Sequence, residues 1–378
     1  MRRRTFIAGT IAGAGPLAGC SSPSESTNNS ASSDGTETDM STEDRSYTVE
    51  MAPAGEVKFD SPPQEVAHFF PGYGDMAVAL GHGDSIVSMG WKPRYHTSHY
   101  DELDGVSVDK ESMTQLQTRS GLDMEIFFEV NSDLHMIDPE WLTNNDYFGM
   151  EASDIEEISQ TVAPFLGNTI FRRTDRWHDY RYYTMYEAFE KVAEVYQEQA
   201  TYEAFREFHD ATLQRVQSKL PPEAERSDAL LCWSGVNEPV RFYPYRITDE
   251  GTNKKVFHDL GTRDALEGTD VEGLSESQRG MIDYETILEI DPDTILLRGH
   301  EDKSREKFLN TVVTYMKNHE VASALRAVQE DRVFRGGPIY SGPLHHLFLL
   351  ERYANLYFPE RFSGELFDRD KLAGIVTQ

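Results

Sequence analysis

Two stretches of this chain read alike, and they set what it can fold into. Met124–Ile137, MEIFFEVNSDLHMI, aligns with Tyr284–Leu297, YETILEIDPDTILL, placing Glu125 on Glu285, Glu129 on Glu289, Val130 on Ile290, Asn131 on Asp291 and Asp133 on Asp293. Each reads as a short amphipathic helix, a turn and an apolar strand. Such a recurrence predicts duplicated α/β units, one in each of two lobes. Between the copies lies Thr201–Leu220, TYEAFREFHDATLQRVQSKL, closed by Pro221 and Pro222. Phe205, Phe208, Leu213, Val216 and Leu220 would share one apolar stripe of a helix. Thr201 reads as its N-cap, with Glu203 and Glu207 early and Arg215 and Lys219 late, as the helix dipole prefers. About 20 residues at roughly 1.5 Å each give a rod of about 30 Å, the width of a small domain.

The length of 378 residues allows two domains, and 65 acidic against 36 basic residues give a net charge of −29. That sign argues against nucleic acid, whose phosphates need cations. The acids are spread along the chain, which reads as a solvated coat suited to high salt. Met1–Gly19 carries Arg3-Arg4-Thr5-Phe6-Ile7, which resembles a twin-arginine export signal, followed by an apolar run too short to span a membrane. Leu17-Ala18-Gly19-Cys20 looks like a lipobox, making Cys20 the lipidated residue. Residues 20–46 are Ser/Thr/Asn/Asp/Glu-rich and read as a disordered tether. Cys232, the other cysteine, sits in an apolar run and reads as a packing residue, so no disulfide framework is expected. A Gly-x-Ser-x-Gly elbow, a phosphate-binding glycine loop and a His-Glu-x-x-His helix are all missing from the sequence. An enzyme is therefore not expected, and a secreted hydrolase with a dispersed triad is the least favoured alternative.

Taken in order, Val66–Phe70, Asp84–Met89, Leu134–Ile137 and Val162–Phe171 read as upstream strands, with Pro71–Gly74 a turn. Tyr183–Tyr196 reads as a helix before the rod. Downstream, Asp228–Trp233, the second copy and Arg332–Arg335 read as strands, and Phe308–Val328 and Leu344–Leu356 as mainly helical.

With these elements in this order, the chain resembles the substrate-binding lipoproteins of ABC importers for ferric siderophores, haem and vitamin B12. The resemblance rests on Phe59–Gly81, on Glu125–Ile137 (with Ser132 where a proline is usual), on Glu285–Leu297 with Asp291-Pro292-Asp293 intact, on Leu325–Val333 and on Tyr357-Phe358-Pro359-Glu360. It implies an α/β fold of two parallel-sheet lobes joined by one long helix, with a ligand cleft between the lobes. On that reading 47–175 is the N-terminal lobe, 176–222 the helical linker and 223–378 the C-terminal lobe. It also implies a lipid-anchored, exported receptor that passes a metal chelate to a permease and its ATPase, with no cofactor. A ferric siderophore is the expected ligand, then a corrinoid or haem, then bare zinc or manganese.

Ligands of parallel sheets bind outside the carboxyl ends of the strands. Applied to the upstream strands, the rule selects Tyr73, Trp91, Arg94, Tyr95, Trp141 and the Arg172–Arg173 pair, of which Arg173 is the expected contact. Downstream it selects Trp233, Arg241, Tyr243, Arg298, His300 and Tyr340. Aromatic faces stack on planar or greasy ligands, and arginine forks bind carboxylate or chelating oxygens. His96, His99, His300, His345 and His346 are the histidines a bare-metal site would draw on. Glu125 and Glu285, equivalent in the two copies, are the expected permease-docking residues, because the resemblance implies pairing with arginines there.

Overall fold

The structure, a computed structural model, describes residues 46–271 and 280–378. The expected signal peptide, Cys20 and nearly all of the tether lie outside the described residues. The chain enters through an antiparallel hairpin, β1 (Tyr47–Met51) and β2 (Gly55–Phe59). Four parallel strands follow: β3 (Val66–His68), β4 (Ile86–Met89), β5 (Thr114–Gln115) and, after the small ribbon β6 (Gln117–Thr118) and β7 (Gly121–Leu122), β8 (Leu134–Met136). They lie in the order β5-β4-β3-β8. The second sheet holds β9 (Asp228–Trp233), β10 (Tyr243–Tyr245), β11 (Arg263–Asp264), β12 (Thr294–Arg298) and β13 (Val333–Arg335), in the order β10-β9-β12-β13, with β11 also on β9. Only β10 runs antiparallel. The chain is thus α/β, with two parallel-sheet lobes joined by a long helix.

The two copies of the repeat fold alike down to their turns. Helix Glu125–Val130 ends on Asn131 in the left-handed conformation (φ 49°, ψ 51°), and helix Tyr284–Ile290 ends on Asp291 at φ 49°, ψ 55°. Asn and Asp tolerate that region better than other non-glycine residues. The Asp133 carboxylate then accepts the Gln64 and Glu65 N–H groups, and Asp293 accepts that of Asp228. Each repeat therefore ties the start of its strand to the opening of the neighbouring one.

Several elements differ from expectation. Val162–Phe171 is not a strand. Helix Ala152–Thr161 runs up to it, and only a single bridge, His135 to Phe165, joins it to the sheet. Pro71–Gly74 is the first turn of helix Pro71–Ala79, so Tyr73 sits on a helix rather than in a loop. The linking helix is Gln199–Gln217, and Thr201 lies inside it, donating to Glu198 rather than capping. Before it, helix Met185–Tyr196 opens on a Thr184–Glu187 capping box and stops at Gln197, whose φ of 59° breaks the run. Phe308–Val328 is broken into short pieces, with a π-helical turn at Leu309–Val313.

Two helices pass from one lobe's core to the other's. On the linking helix, Tyr202, Phe205 and Phe208 pack in the N-terminal core, whereas Leu213 and Val216 pack in a C-terminal one. Helix Pro343–Tyr357 divides in the same way, with Leu344, Leu347 and Phe348 upstream and Leu349, Leu350 and Tyr353 downstream. Asp75 of the N-terminal lobe caps this closing helix, accepting the Leu344 and His345 N–H groups at 2.8 and 3.2 Å. A side chain on Gly342 would place its Cβ 2.5 Å from the Gly72 carbonyl, so close approach of the lobes requires glycine there.

Candidate functional site

Strand order locates the site. In the upstream sheet β3 is flanked by β4 and β8, and downstream β9 is flanked by β11 and β12. The connections reverse direction at these places, leaving a crevice at the carboxyl ends. The chain leaves β3 through Phe69-Phe70 and passes from β8 into Asp138. Downstream, Trp233 and Arg298 are register partners at the ends of β9 and β12.

An aromatic floor joins the lobes. Tyr340 of the C-terminal lobe lies with its ring 4.9 Å from Phe171 and 5.4 Å from Phe70, and Trp141 meets both of these rings at 5.4 Å. Trp141 is placed by Asp138, which caps helix Pro139–Thr143 through the Glu140 N–H. The buried Trp141 Nε1–H has no protein acceptor. Asp138 is itself buried and receives the Tyr180 hydroxyl; burial raises its carboxyl to about 6.

Cations gather at this floor. The Arg172 guanidinium lies 5.3 Å from the Trp141 ring and is held by two bonds of 2.7 Å to Asp175. Arg94 lies 5.9 Å from the Tyr340 ring and reaches its hydroxyl at 3.4 Å. Arg298 stacks 4.8 Å from the Tyr245 ring. Burial drives the Tyr245 phenol upward, against the opposing positive charges of Arg298, Arg94 and Arg172 around it. Lys254, fully buried, has its ammonium lowered to about 8 by burial; Asp249 at 3.3 Å opposes the shift, while Arg298 and Arg172 add to it. Arg94 and Arg172 thus face one aromatic patch in a chain of net charge −29, while Arg298 and Lys254 are buried.

The segment carrying Lys254 is stitched to the other lobe. Thr252 N–H donates to Ile170 O at 3.0 Å and Asn253 N–H to Phe171 O at 3.5 Å. Gly251 (φ +144°) approaches so closely that a Cβ would lie 2.2 Å from Phe171 O.

The expected residues divide into two groups. Arg94, Trp141 and Tyr340 meet at the floor. Arg173 lies beside it, exposed, 5.3 Å from the Tyr182 ring and 3.9 Å from Glu250. Trp91 is half-buried at the start of the turn that carries Arg94. The Trp233 and Tyr243 rings lie tilted to each other at 5.9 Å, and exposed Arg241 touches Met281 at 4.0 Å. Val236, Val240 and Met281 expose apolar surface at this rim.

The others are spent internally, which corrects their reading as ligand contacts. The Tyr73 hydroxyl bonds the Asn168 backbone, and Tyr95 pairs with Tyr100 at 3.1 Å. His300 is buried against Lys303, 3.0 Å away. Arg298 is fully buried and donates to the Gly336 and Asn253 carbonyls, leaving only Nη1 without a partner. Nor do the five histidines converge, since His99 stacks on His345 (4.2 Å), His346 meets His209 and His300 meets Lys303. Glu125 and Glu285 are both exposed in the first turns of the equivalent helices.

Sequence reasoning missed Phe70, Phe171, Tyr245 and Lys254. Tyr245 had a signal, since two residues after Tyr243 it shares a strand face. Lys254 had none, because Gly251-Thr252-Asn253-Lys254 reads as a solvated turn.

A cavity of about 660 Å³ lies elsewhere, on the C-terminal lobe beside Phe308, Arg335 and Leu356. Strand ends, aromatic faces and cations coincide at the floor instead, which makes it the candidate site.

The family described as periplasmic binding protein matches residues 66–340. No curated protein sequence matches the chain. Among solved structures, the iron-uptake ABC transporter substrate-binding protein PiuA from Streptococcus pneumoniae superposes with a TM-score of 0.56 at 16% identity, covering 80% of this chain and 95% of its own. The petrobactin-binding protein YclQ from Bacillus subtilis gives 0.54 at 13%, covering 88% and 99%. The periplasmic catecholate-siderophore binding protein VctP from Vibrio cholerae gives 0.53 at 17%, covering 82% and 98%. At these identities the likeness is one of fold.

Proposed function

The chain belongs to the periplasmic binding protein family, a family of non-enzymatic solute receptors, and from that premise we propose that it captures an anionic iron–siderophore-type chelate for an ABC importer. One observation carries the reading: Arg94 and Arg172 lie against the Tyr340, Trp141 and Phe171 rings of the floor in an otherwise strongly acidic protein. A ferric chelate presents charged oxygens and flat apolar faces, and this arrangement meets both. The ATPase of the importer supplies the transport energy, so no chemistry is asked of this chain. Glu125 and Glu285 are the proposed docking points for permease arginines, as matched acids on the outer faces of the two lobes.

Anchoring is part of the same proposal. Among the described residues no helix is long and apolar enough to cross a membrane. Lipid on Cys20 would hold the receptor at the outer face of the membrane after twin-arginine export.

The test is a titration of the chain from Tyr47 onward in high salt, followed by tryptophan fluorescence. The panel contains ferric catecholate and hydroxamate siderophores, haem, a corrinoid, zinc and manganese. Saturable quenching by a siderophore, reduced in Arg94→Ala, is the expected result. A response to haem or the corrinoid alone moves the ligand to that class, and no response from folded protein removes the chelate reading.

A further inference from the structure

The cavity of about 660 Å³ runs along the free edge of the C-terminal sheet. β13 is the last strand on that side and pairs with β12 alone. Helices cover both of its faces. Val333 packs in one core with Phe308 and Val313, whereas Phe334 turns to the other core, with Leu356 and the closing helix. The cavity is the gap that these two helical layers leave at the strand edge.

One wall is built from helix Arg305–Phe308, the π-helical turn Leu309–Val313 and helix Thr314–Asn318, which follow one another without a break. Arg305, Leu309, Val313 and Lys317, spaced four apart, all line the cavity. Single π-helical turns are rare and concentrate at functional positions. On this turn Leu309 is exposed, and Phe334 and Leu356 add half-buried apolar surface from β13 and the closing helix.

The charge of the lining is opposite to that of the protein. Arg305, Lys317, Arg335 and Arg352 face the cavity with one acid, Asp331, in a chain of net charge −29. Lys317 is taken by Asp331 at 2.5 Å, and Arg352 by the nearly buried Glu301 at 2.7 Å. Arg335 gives Nη1 to the Lys303 carbonyl at 2.5 Å. Among the described residues neither Arg305 nor Arg335 has a carboxylate within 4.0 Å, and Glu301 acts on Arg335 only from farther away. Two guanidinium groups are therefore left for an anion from outside.

We propose that this cavity binds a small organic anion with an apolar body, its carboxylate or phosphate head on Arg305 and Arg335 and its body on Leu309, Phe334 and Leu356. Arginine forks suit such heads, and the volume lies within the range of about 300–1,000 Å³ that small-molecule sites occupy. A peptide adding a strand to the sheet fits less well. The edge is three residues long, and the Tyr353 hydroxyl already donates to the Arg335 carbonyl at 2.8 Å. The site is distinct from the inter-lobe floor and does not depend on what binds there.

The probe is 8-anilinonaphthalene-1-sulfonate, an amphipathic anion that brightens in apolar surroundings. Purified protein should bind it saturably. Decanoate or decyl phosphate should displace it, the tighter competitor naming the head group, and decanol, with the same chain and no charge, should not. Arg305→Glu and Leu309→Glu alter exposed residues and should each lower the affinity of one equivalent tenfold or more. Arg119→Glu, the same charge change at an exposed position of the N-terminal lobe, should leave binding as it is. Equal dye binding in wild type and Arg305→Glu, displacement by decanol as good as by decanoate, or no saturable binding by folded wild type would each overturn the site.

Discussion

Arg94 and Arg172 face the same aromatic floor but are held differently. Arg172 is fixed by two short bonds to Asp175, whereas Arg94 has one long contact with the Tyr340 hydroxyl. Arg94→Ala should therefore leave the melting temperature unchanged while weakening chelate binding ten- to a hundredfold, the worth of about 1.5–3 kcal/mol for a charged hydrogen bond. Titration and thermal unfolding of the same sample separate the two effects. Asp138 gives a pH prediction. Its carboxyl is raised to about 6 from 3.8 by burial, so the folded state holds the proton more tightly than the unfolded. That contribution to stability is full below about pH 4 and is lost as pH rises through 6. Asp138→Asn should flatten the stability profile between pH 4 and 7 in urea unfolding. At this scale the sequence was partly legible. Arginines and aromatics at strand ends could be named, but burial could not, and burial is what took Tyr73, Tyr95 and His300 out of reach.

The helices show where periodicity suffices. The stripe of Phe205, Phe208, Leu213 and Val216 was readable because a 3.6-residue period admits few alternatives. That the stripe serves two cores was not, since spacing says nothing about what lies opposite. Val162–Phe171 misled for the reason short apolar runs do: buried strand and buried extended segment share a composition. Phe205, fully buried, offers a test. Phe205→Ala should cost about 3–5 kcal/mol. Because the linking helix belongs to both cores, denaturant unfolding should stay a single transition with a lower midpoint. Separation into two transitions would show that the lobes do not depend on this helix jointly.

At the scale of the molecule, charge and address dominate. A net charge of −29 repels itself when compact, and salt screens exposed charges over about 8–10 Å at 0.1–0.15 M. Thermal unfolding should therefore shift upward as sodium chloride is raised from low to molar concentration, and a flat response would refute the solvated-coat reading. Cys20→Ala should release the receptor into the medium, detected by fractionation; retention in the membrane would rule out the lipid anchor. The two-lobed architecture was legible from the repeat, since each copy carries its own helix, turn and strand. Two helices run from core to core, however, and the second, Pro343–Tyr357, is capped from the opposite lobe by Asp75. A plate on one pin can swivel; a plate on two pins can only flex. A receptor built in this way cannot shut over its cargo like a trap, nor spring open to let it go. Release would then call for a partner that grips both plates and bends the pins.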